Sequence, residues 1–204
     1  MLMNRTANSR VFLGIAYGKI TRKVLGQENA DTYTDIEGHL RDVNLRNAEI
    51  KGVSTPFIDF IFEDGEDTYD LSVQFNSGVA RSIILSLSSV QDFVGNVVRI
   101  SPYLSKDGEH TNVAVYVNRQ KVSWVVEPSK IPALEYVQVG SQKVADDTKR
   151  SKFFNNLLAV IQQRLNVAAA TPQAAAVSEA GDDLPEGGGL HNDDFFANEG
   201  SQHL

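Results

Sequence analysis

The sequence contains no cysteine, and this absence excludes several kinds of protein. Without thiols there is no disulfide framework, no zinc site built on Cys ligands and no Cys nucleophile. Long apolar runs are also missing: the first, residues 11–17, is far shorter than the ~20 residues that cross a bilayer. We therefore expect a soluble cytoplasmic protein that is not exported and does not associate with membranes.

Sequence signals for catalysis are equally scarce. The four histidines, His39, His110, His191 and His203, are scattered and show no metal-ligand spacing. A metal centre needs converging ligands, and a catalytic triad needs a base beside its nucleophile. The chain has no glycine-rich phosphate loop, no dinucleotide fingerprint and no nucleophile elbow. We predict a protein that is not an enzyme, with no catalytic residue, no metal site and no cofactor.

Positive charge is absent from the end of the chain. Residues 167–204 carry seven acids and no Lys or Arg, whereas residues 1–166 carry 19 acids and 19 bases. The net charge of -7 is therefore the charge of this segment alone. A segment of like charge and low hydrophobicity cannot bury enough apolar surface to offset its ordering entropy. We predict a folded domain over residues 1–166 and a disordered acidic tail over residues 167–204.

Most of the folded part shows the two-residue period of strands. In residues 10–23 apolar side chains alternate, and Gly14 and Gly18 indicate a bend in one strand. The pair Asp64-Gly65 between two alternating runs, residues 57–62 and 68–75, is a strong hairpin signal. Two or three further strands are predicted, over residues 97–103, 111–117 and 121–126. The pattern of residues 36–45 is compatible with a strand, a short helix or a loop.

Two helices are predicted among the strands. After Asn76 and Ser77, either of which can cap a helix, apolar residues recur at helical spacing up to Val90. A closing helix begins near Asp146 and continues to about Asn166. This order predicts a mainly β fold: an OB-fold-like antiparallel five-stranded barrel, with one helix between strands 3 and 4 and a C-terminal helix. Other small barrels remain open.

The strands carry a candidate surface for single-stranded nucleic acid. If Val98 and Ile100 point inward, the two-residue period turns Arg99 and Tyr103 outward. The same argument turns Tyr116 outward on the next strand. Exposed aromatic rings beside cations form a surface on which bases stack while the cations contact phosphates. The candidate residues are Lys19, Arg22, Lys23, Arg99, Tyr103, Lys106, Tyr116, Arg119, Lys121 and Trp124.

Some of these residues have a second interpretation. Trp124 shares a strand face with Val122 and Val126, which is also compatible with core packing. Arg119 and Lys121 could be ordinary solvated residues. Stacking surfaces accept RNA as well as DNA, because only contacts to the 2′-hydroxyl discriminate between them.

Three features carry a resemblance to a known family: the barrel order over residues 10–126, the stretch Ile100-Ser101-Pro102-Tyr103 with its Lys106-Asp107-Gly108 turn, and the acidic tail. In these features the chain resembles the single-stranded-DNA-binding proteins of bacteria and, more closely, of bacteriophages. The resemblance implies a protein that coats single-stranded DNA during replication, recombination and repair. It implies an acidic tail that recruits replication proteins, and the cytoplasm of a bacterium or phage-infected host cell as the location. Homo-oligomers are compatible with it.

The tail departs from the family pattern, in which acids are followed by a terminal Phe or Pro-Phe. Here Asp193-Asp194-Phe195-Phe196 is followed by eight more residues. The predicted partner-binding residues are Asp182, Asp183, Asp193, Asp194, Phe195 and Phe196. Because the folded part has zero net charge, an OB-like protein-interaction or inhibitor module with a DNA-mimicking acidic arm is an alternative function. A virion structural protein is a third.

Overall fold

The computed structural model describes residues 10–22 and 30–170. This part of the chain is mainly β with two helices, as predicted. The strands are β1 (Arg10–Ala16), β2 (Lys19–Arg22), β3 (Asp31–Tyr33), β4 (Ile36–Ile50), β5 (Val53–Asp64), β6 (Asp67–Gln74), β7 (Val98–Leu104), β8 (Thr111–Val117), β9 (Gln120–Lys121), β10 (Glu135–Val139) and β11 (Gln142–Asp146). The helices are α1 (Gly78–Ser88) and α2 (Thr148–Ala170), and Pro128–Lys130 form a 3-10 turn. Neither helix is long and apolar enough to cross a membrane.

Nine strands form one sheet in the order β3-β2-β1-β6-β5-β4-β7-β8-β9. Within the described residues this order is open, with β3 and β9 at its edges, so the closed five-stranded barrel is not confirmed. One pairing, β1 with β6, is parallel. Strand β4 bridges the two halves of the sheet, since it pairs with β5 over most of its length and with β7 only through Ile36–Gly38.

Two strand predictions were wrong. Where one bent strand was predicted, the described residues 10–22 form two strands; Tyr17 and Gly18 both have positive φ angles, 49° and 69°, and make the tight turn of the β1–β2 hairpin. Residues 122–126 do not continue strand β9. Val122 N still donates to Val115 O of β8 at 2.9 Å, but the chain then turns to α1, where Trp124 donates its indole N–H to Ser86 and the backbone N–H of Val125 donates to Ser89.

The remaining elements follow local sequence signals closely. The β5–β6 hairpin turns at Gly65, the undecided residues 36–45 lie in β4, and strand β8 has its predicted bounds. Sequence analysis missed β3 and the separate two-stranded sheet of β10 and β11. Helix α1 lies between β6 and β7, and its capping residue is Ser77, whose hydroxyl accepts a hydrogen bond from Ala80 N at 3.1 Å.

Both helices pack against the inner face of the sheet. Fully buried side chains come from the strands and from both helices; they include Phe60, Phe62, Leu71, Ile83, Leu87, Phe154 and Ile161. Burying each contributes roughly 1.5–3 kcal/mol relative to exposure. The guanidinium of Arg81 on α1 joins the helices by an ion pair with Asp147 at 2.7 Å. Because the helices cover the inner face, the outer face is the broad side of the sheet that is open to solvent.

Candidate nucleic-acid interface

Strand β7 has the predicted alternation. Val98 and Ile100 are fully buried, whereas Arg99 is half-buried and Tyr103 is exposed on the outer face. On β8, Val115 is buried and Tyr116 is partly exposed. The two-residue period of these strands therefore identified the outward side chains correctly.

Register aligns four side chains in a row across the outer face. The row runs from β4 to β9 and consists of Glu37, Arg99, Tyr116 and Lys121. The guanidinium carbon of Arg99 lies 4.5 Å from the centroid of the Tyr116 ring, and its Nε lies 3.8 Å from Glu37 Oε2. Arg99 thus lies over one face of the Tyr116 ring in a cation–π contact, so the two side chains form one unit instead of two separate platforms.

A shallow groove lies beside this row. It has a volume of about 330 Å³ and runs along the edge of β8: Tyr103 and Lys121 line it from the outer face, and Trp124 lines it together with Ser86 of α1. Trp124 is 44% exposed, and its indole N–H donates to Ser86 Oγ at 3.1 Å. This hydrogen bond fixes the orientation of the indole, so Trp124 has a structural role and is also accessible from the groove. We call the outer surface formed by Arg99, Tyr103, Tyr116 and Lys121, together with Trp124, which borders the groove from the α1 side, the β7–β9 face.

The β1–β2 turn lies at the far end of this face. Gly18 N donates to Thr111 Oγ1 at 3.1 Å, which joins the turn to the start of β8. Contact with β7 is equally close, since a Cβ on Gly18 would lie 2.6 Å from Leu104 N. The turn carries Tyr17, which is 87% exposed, and exposed Lys19 follows at the start of β2. Sequence analysis treated Tyr17 as a continuation of an apolar strand face and missed its exposure, because the hairpin turn was not recognised.

The loop between β7 and β8 holds Lys106 in an ordered turn. The Ser105 hydroxyl donates to the Asp107 carboxylate, which also accepts from Glu109 N at 3.0 Å. The hydrogen bond from Ser105 is the main cause that lowers the pKa of Asp107. Ligand atoms of Asp107, Glu109 and His110 lie within 4.8 Å of one another, but an exposed acidic cluster of this kind does not by itself make a metal site.

Four of the candidate cations have uncompensated charge. Lys19, Lys106, Arg119 and Lys121 are exposed, and none forms an ion pair with an acid in residues 10–22 or 30–170. By contrast, Arg10, Arg41, Arg46 and Arg81 are all paired with acids. The uncompensated cations lie on the β7–β9 face or at its ends and are available to phosphates.

The other predicted residues are not brought to this face. Arg22 is the last residue of strand β2. It is close enough to Tyr69 to affect the pKa of that side chain: burial, Asp67 and Asp64 raise this pKa, and the charge of Arg22 opposes the rise. It therefore lies towards the β5–β6 hairpin. Lys23 lies outside the described residues, as do the tail residues Asp182, Asp183, Asp193, Asp194, Phe195 and Phe196.

Sequence analysis also missed two further arginine–aromatic pairs on the outer face. Arg46 lies over Phe57 at 5.2 Å, and Arg10 lies over Phe12 at 5.7 Å, both measured to the ring centroid. Arg10 and Phe12 are two residues apart on one strand, so the strand period alone could have placed them on one face. Arg46 and Phe57 face each other across β4 and β5, which only the register reveals.

No protein-family model matches the chain, and no curated protein and no solved structure is significantly similar to it.

Proposed function

We propose that this protein is a non-enzymatic single-stranded-DNA-binding protein of the bacteriophage type, which coats single strands during replication, recombination and repair. The observation that carries the proposal is the Arg99–Tyr116 stack on the β7–β9 face, with uncompensated cations around it. Planar guanidinium and aromatic groups stack with bases of any sequence. Sequence-tolerant binding is what a coating protein requires.

In this proposal the planar side chains of the face bind bases, and its cations bind phosphates. Bases stack on the free side of the Arg99–Tyr116 pair and enter the groove between Tyr103 and Trp124. Lys106, Arg119 and Lys121 contact the phosphates. Each stacked base is worth about 1–3 kcal/mol, so two or three of them together with the charge contacts suffice for micromolar binding.

The strand order supports an OB-like arrangement with one addition. Strands β4, β5 and β6, helix α1, and strands β7 and β8 follow one another in the predicted order, with the helix after the third strand. The first of these strands also pairs with the fourth, β4 with β7. We propose that β4 takes the place expected for residues 10–23, and that β1 and β2 extend the sheet along β6.

The acidic tail has two roles in this proposal. Its segments around Asp182-Asp183 and Asp193-Asp194-Phe195-Phe196 recruit replication proteins, and its acids compete with DNA for the cations of the β7–β9 face. With the reach of a random coil, the 34 residues after α2 would span about 29–35 Å, whereas a domain of this size has a radius of gyration of about 15 Å. The tail is therefore long enough to reach that face.

Titration with dT oligonucleotides at low salt tests the proposal. Trp124 is the only tryptophan and lines the groove, so saturable quenching of its emission is expected. A labelled oligonucleotide and the Trp124→Phe variant provide an independent readout by anisotropy. Matched RNA oligonucleotides measure the preference between the two polymers.

If neither quenching nor a gel shift occurs at low salt, the single-strand function is wrong. Binding to a basic partner protein in the absence of oligonucleotide binding would favour the alternative, an interaction or inhibitor module whose acidic arm mimics DNA.

A further inference from the structure

The outer face of the sheet repeats one arrangement of side chains three times. In each copy an arginine lies over an aromatic ring and is paired with an acid. The three copies are Arg99, Tyr116 and Glu37; Arg46, Phe57 and Asp59; and Arg10, Phe12 and Asp70. The first copy belongs to the β7–β9 face. The other two lie on β4, β5, β6 and β1, outside it.

These two outlying copies are held by buried carboxylates. Asp59 and Asp70 are only 7% and 4% exposed, and their Oδ2 atoms lie 2.5 Å from Arg46 Nε and 2.7 Å from Arg10 Nη2, respectively. The Oδ1 atom of each carboxylate is buried without a hydrogen-bond partner. A buried carboxylate is costly unless a cation compensates it, so each acid keeps its arginine in place. The guanidinium groups are therefore fixed beside the rings.

The two outlying copies form one surface. Asp59 lies opposite Ser72 in the β5–β6 register, and Asp70 lies two residues before Ser72 on β6, so the two acids are diagonal neighbours on the same face. Arg46 also donates to Ser72 Oγ at 2.8 Å. Phe12 is 64% exposed at one side of this surface, and Phe57 lies at the other side, beyond the Arg46–Asp59 ion pair. We call the surface formed by Arg10, Phe12, Arg46 and Phe57 the Arg–Phe surface.

We propose that the Arg–Phe surface is a second base-stacking site, reached by a single strand that is long enough to extend beyond the β7–β9 face. This inference rests on the proposed function. The register of β4 places the two sites on one side of the sheet, because Glu37 of the first site and Arg46 of the second both point away from the core. Between the two sites, strands β7, β4, β5 and β6 separate β8 from β1, so a strand bound only at the β7–β9 face does not cover both sites.

The two sites differ in electrostatics. On the Arg–Phe surface each arginine is compensated by its acid, so the rings and guanidinium planes contribute stacking and release few counterions. On the β7–β9 face uncompensated lysines contact phosphates and make binding salt-dependent. Removing rings from the Arg–Phe surface should therefore weaken binding of long strands without changing the salt dependence.

The test compares a short and a long oligonucleotide, dT4 and dT20, bound to the full chain. Phe12→Leu with Phe57→Leu should lower the affinity for dT20 by about tenfold or more and leave that for dT4 within twofold. The matched control is Tyr136→Leu on β10, because Tyr136 is also 64% exposed but belongs to the separate two-stranded sheet. Phe12→Leu alone, at a highly exposed position, gives a variant whose fold is not at risk, and it should lower dT20 affinity severalfold.

If the variant with both Phe12→Leu and Phe57→Leu binds dT20 as tightly as the Tyr136→Leu control does, the proposal of a second site is wrong. An equal loss with dT4 and dT20 would overturn its separation from the β7–β9 face, and so would a changed salt dependence. If the unmodified protein binds neither oligonucleotide, the proposed function itself is wrong, and this outcome is distinct from the other three.

Discussion

Arg99 and Tyr116 lie directly opposite each other on β7 and β8, and the guanidinium carbon of Arg99 is 4.5 Å from the centroid of the Tyr116 ring. Glu37, the neighbour of Arg99 on the other side, lies 3.8 Å from its Nε, which is beyond hydrogen-bond distance. The guanidinium therefore has two partners, the Tyr116 ring and a loose ion pair with Glu37. A planar cation against an aromatic ring is a suitable surface for stacking a base.

Replacing Arg99 by Lys keeps the charge and removes the planar group. Because the stack depends on the flat guanidinium, Arg99→Lys should weaken binding of dT oligonucleotides by about two- to thirtyfold, with no change in salt dependence. Anisotropy titrations at several salt concentrations provide the measurement. Arg119→Lys is the control, since Arg119 lies in the exposed turn after β8 and covers no ring in the described structure; it should bind like the unmodified protein. Equal effects of both substitutions would contradict the stacking role.

The salt dependence of binding should identify the phosphate contacts. Each single-strand phosphate contact contributes about 0.7 to the slope of log affinity against log salt. Lys106→Ala, Arg119→Ala and Lys121→Ala should each reduce the slope by about this amount. Lys152→Ala on α2 removes an exposed lysine far along the chain from these strands and should leave the slope unchanged. If Lys152→Ala reduces the slope as much as Lys121→Ala does, the affinity depends on the net charge of the protein and not on contacts at the β7–β9 face.

Gly18 is needed both for the β1–β2 turn and for its contact with β7. At φ 69° an alanine would be strained, and its Cβ would lie 2.6 Å from Leu104 N. Gly18→Ala should lower the free energy of unfolding by more than about 2 kcal/mol, measured by urea denaturation. Gly65→Ala has a similar φ of 61° but meets no atom within 4 Å, so it should cost about 1 kcal/mol from backbone strain alone. Similar losses for the two variants would argue against the close contact with β7.

Removing the acidic tail should tighten DNA binding at low salt. Truncation after Ala170 keeps the whole of α2 and removes all seven acids of the segment after residue 166. The gain should disappear above about 0.3 M salt, because screening then shortens the range of charge interactions to a few ångströms. A full-length variant with these acids changed to Asn and Gln should show the same gain. Unchanged affinity at low salt would contradict competition between tail and DNA.

Local sequence signals were sufficient for elements whose partners are close along the chain. The β5–β6 hairpin follows from Asp64-Gly65, and α1 follows from Ser77 and its apolar period, because both depend on interactions within about ten residues. The parallel pairing of β1 with β6 joins residues almost 60 positions apart, and no local signal encodes it. The prediction for residues 122–126 was wrong for a related reason. Their apolar pattern is that of a strand, but Trp124 and Val125 donate hydrogen bonds to the hydroxyls of Ser86 and Ser89 of α1.

The sequence by itself determined the separation of charge, since a segment with seven acids and no base has the same composition in any fold. It also determined which side chains of β7 and β8 point outward, because the pleat fixes a two-residue period. The tertiary structure alone decided which of these side chains meet. Strand order and register place Arg99 on Tyr116 and Arg46 on Phe57, and they separate Arg22 from the β7–β9 face. Those pairings depend on burying the apolar side of the whole sheet against α1 and α2, which is a property of the entire domain and not of any short segment.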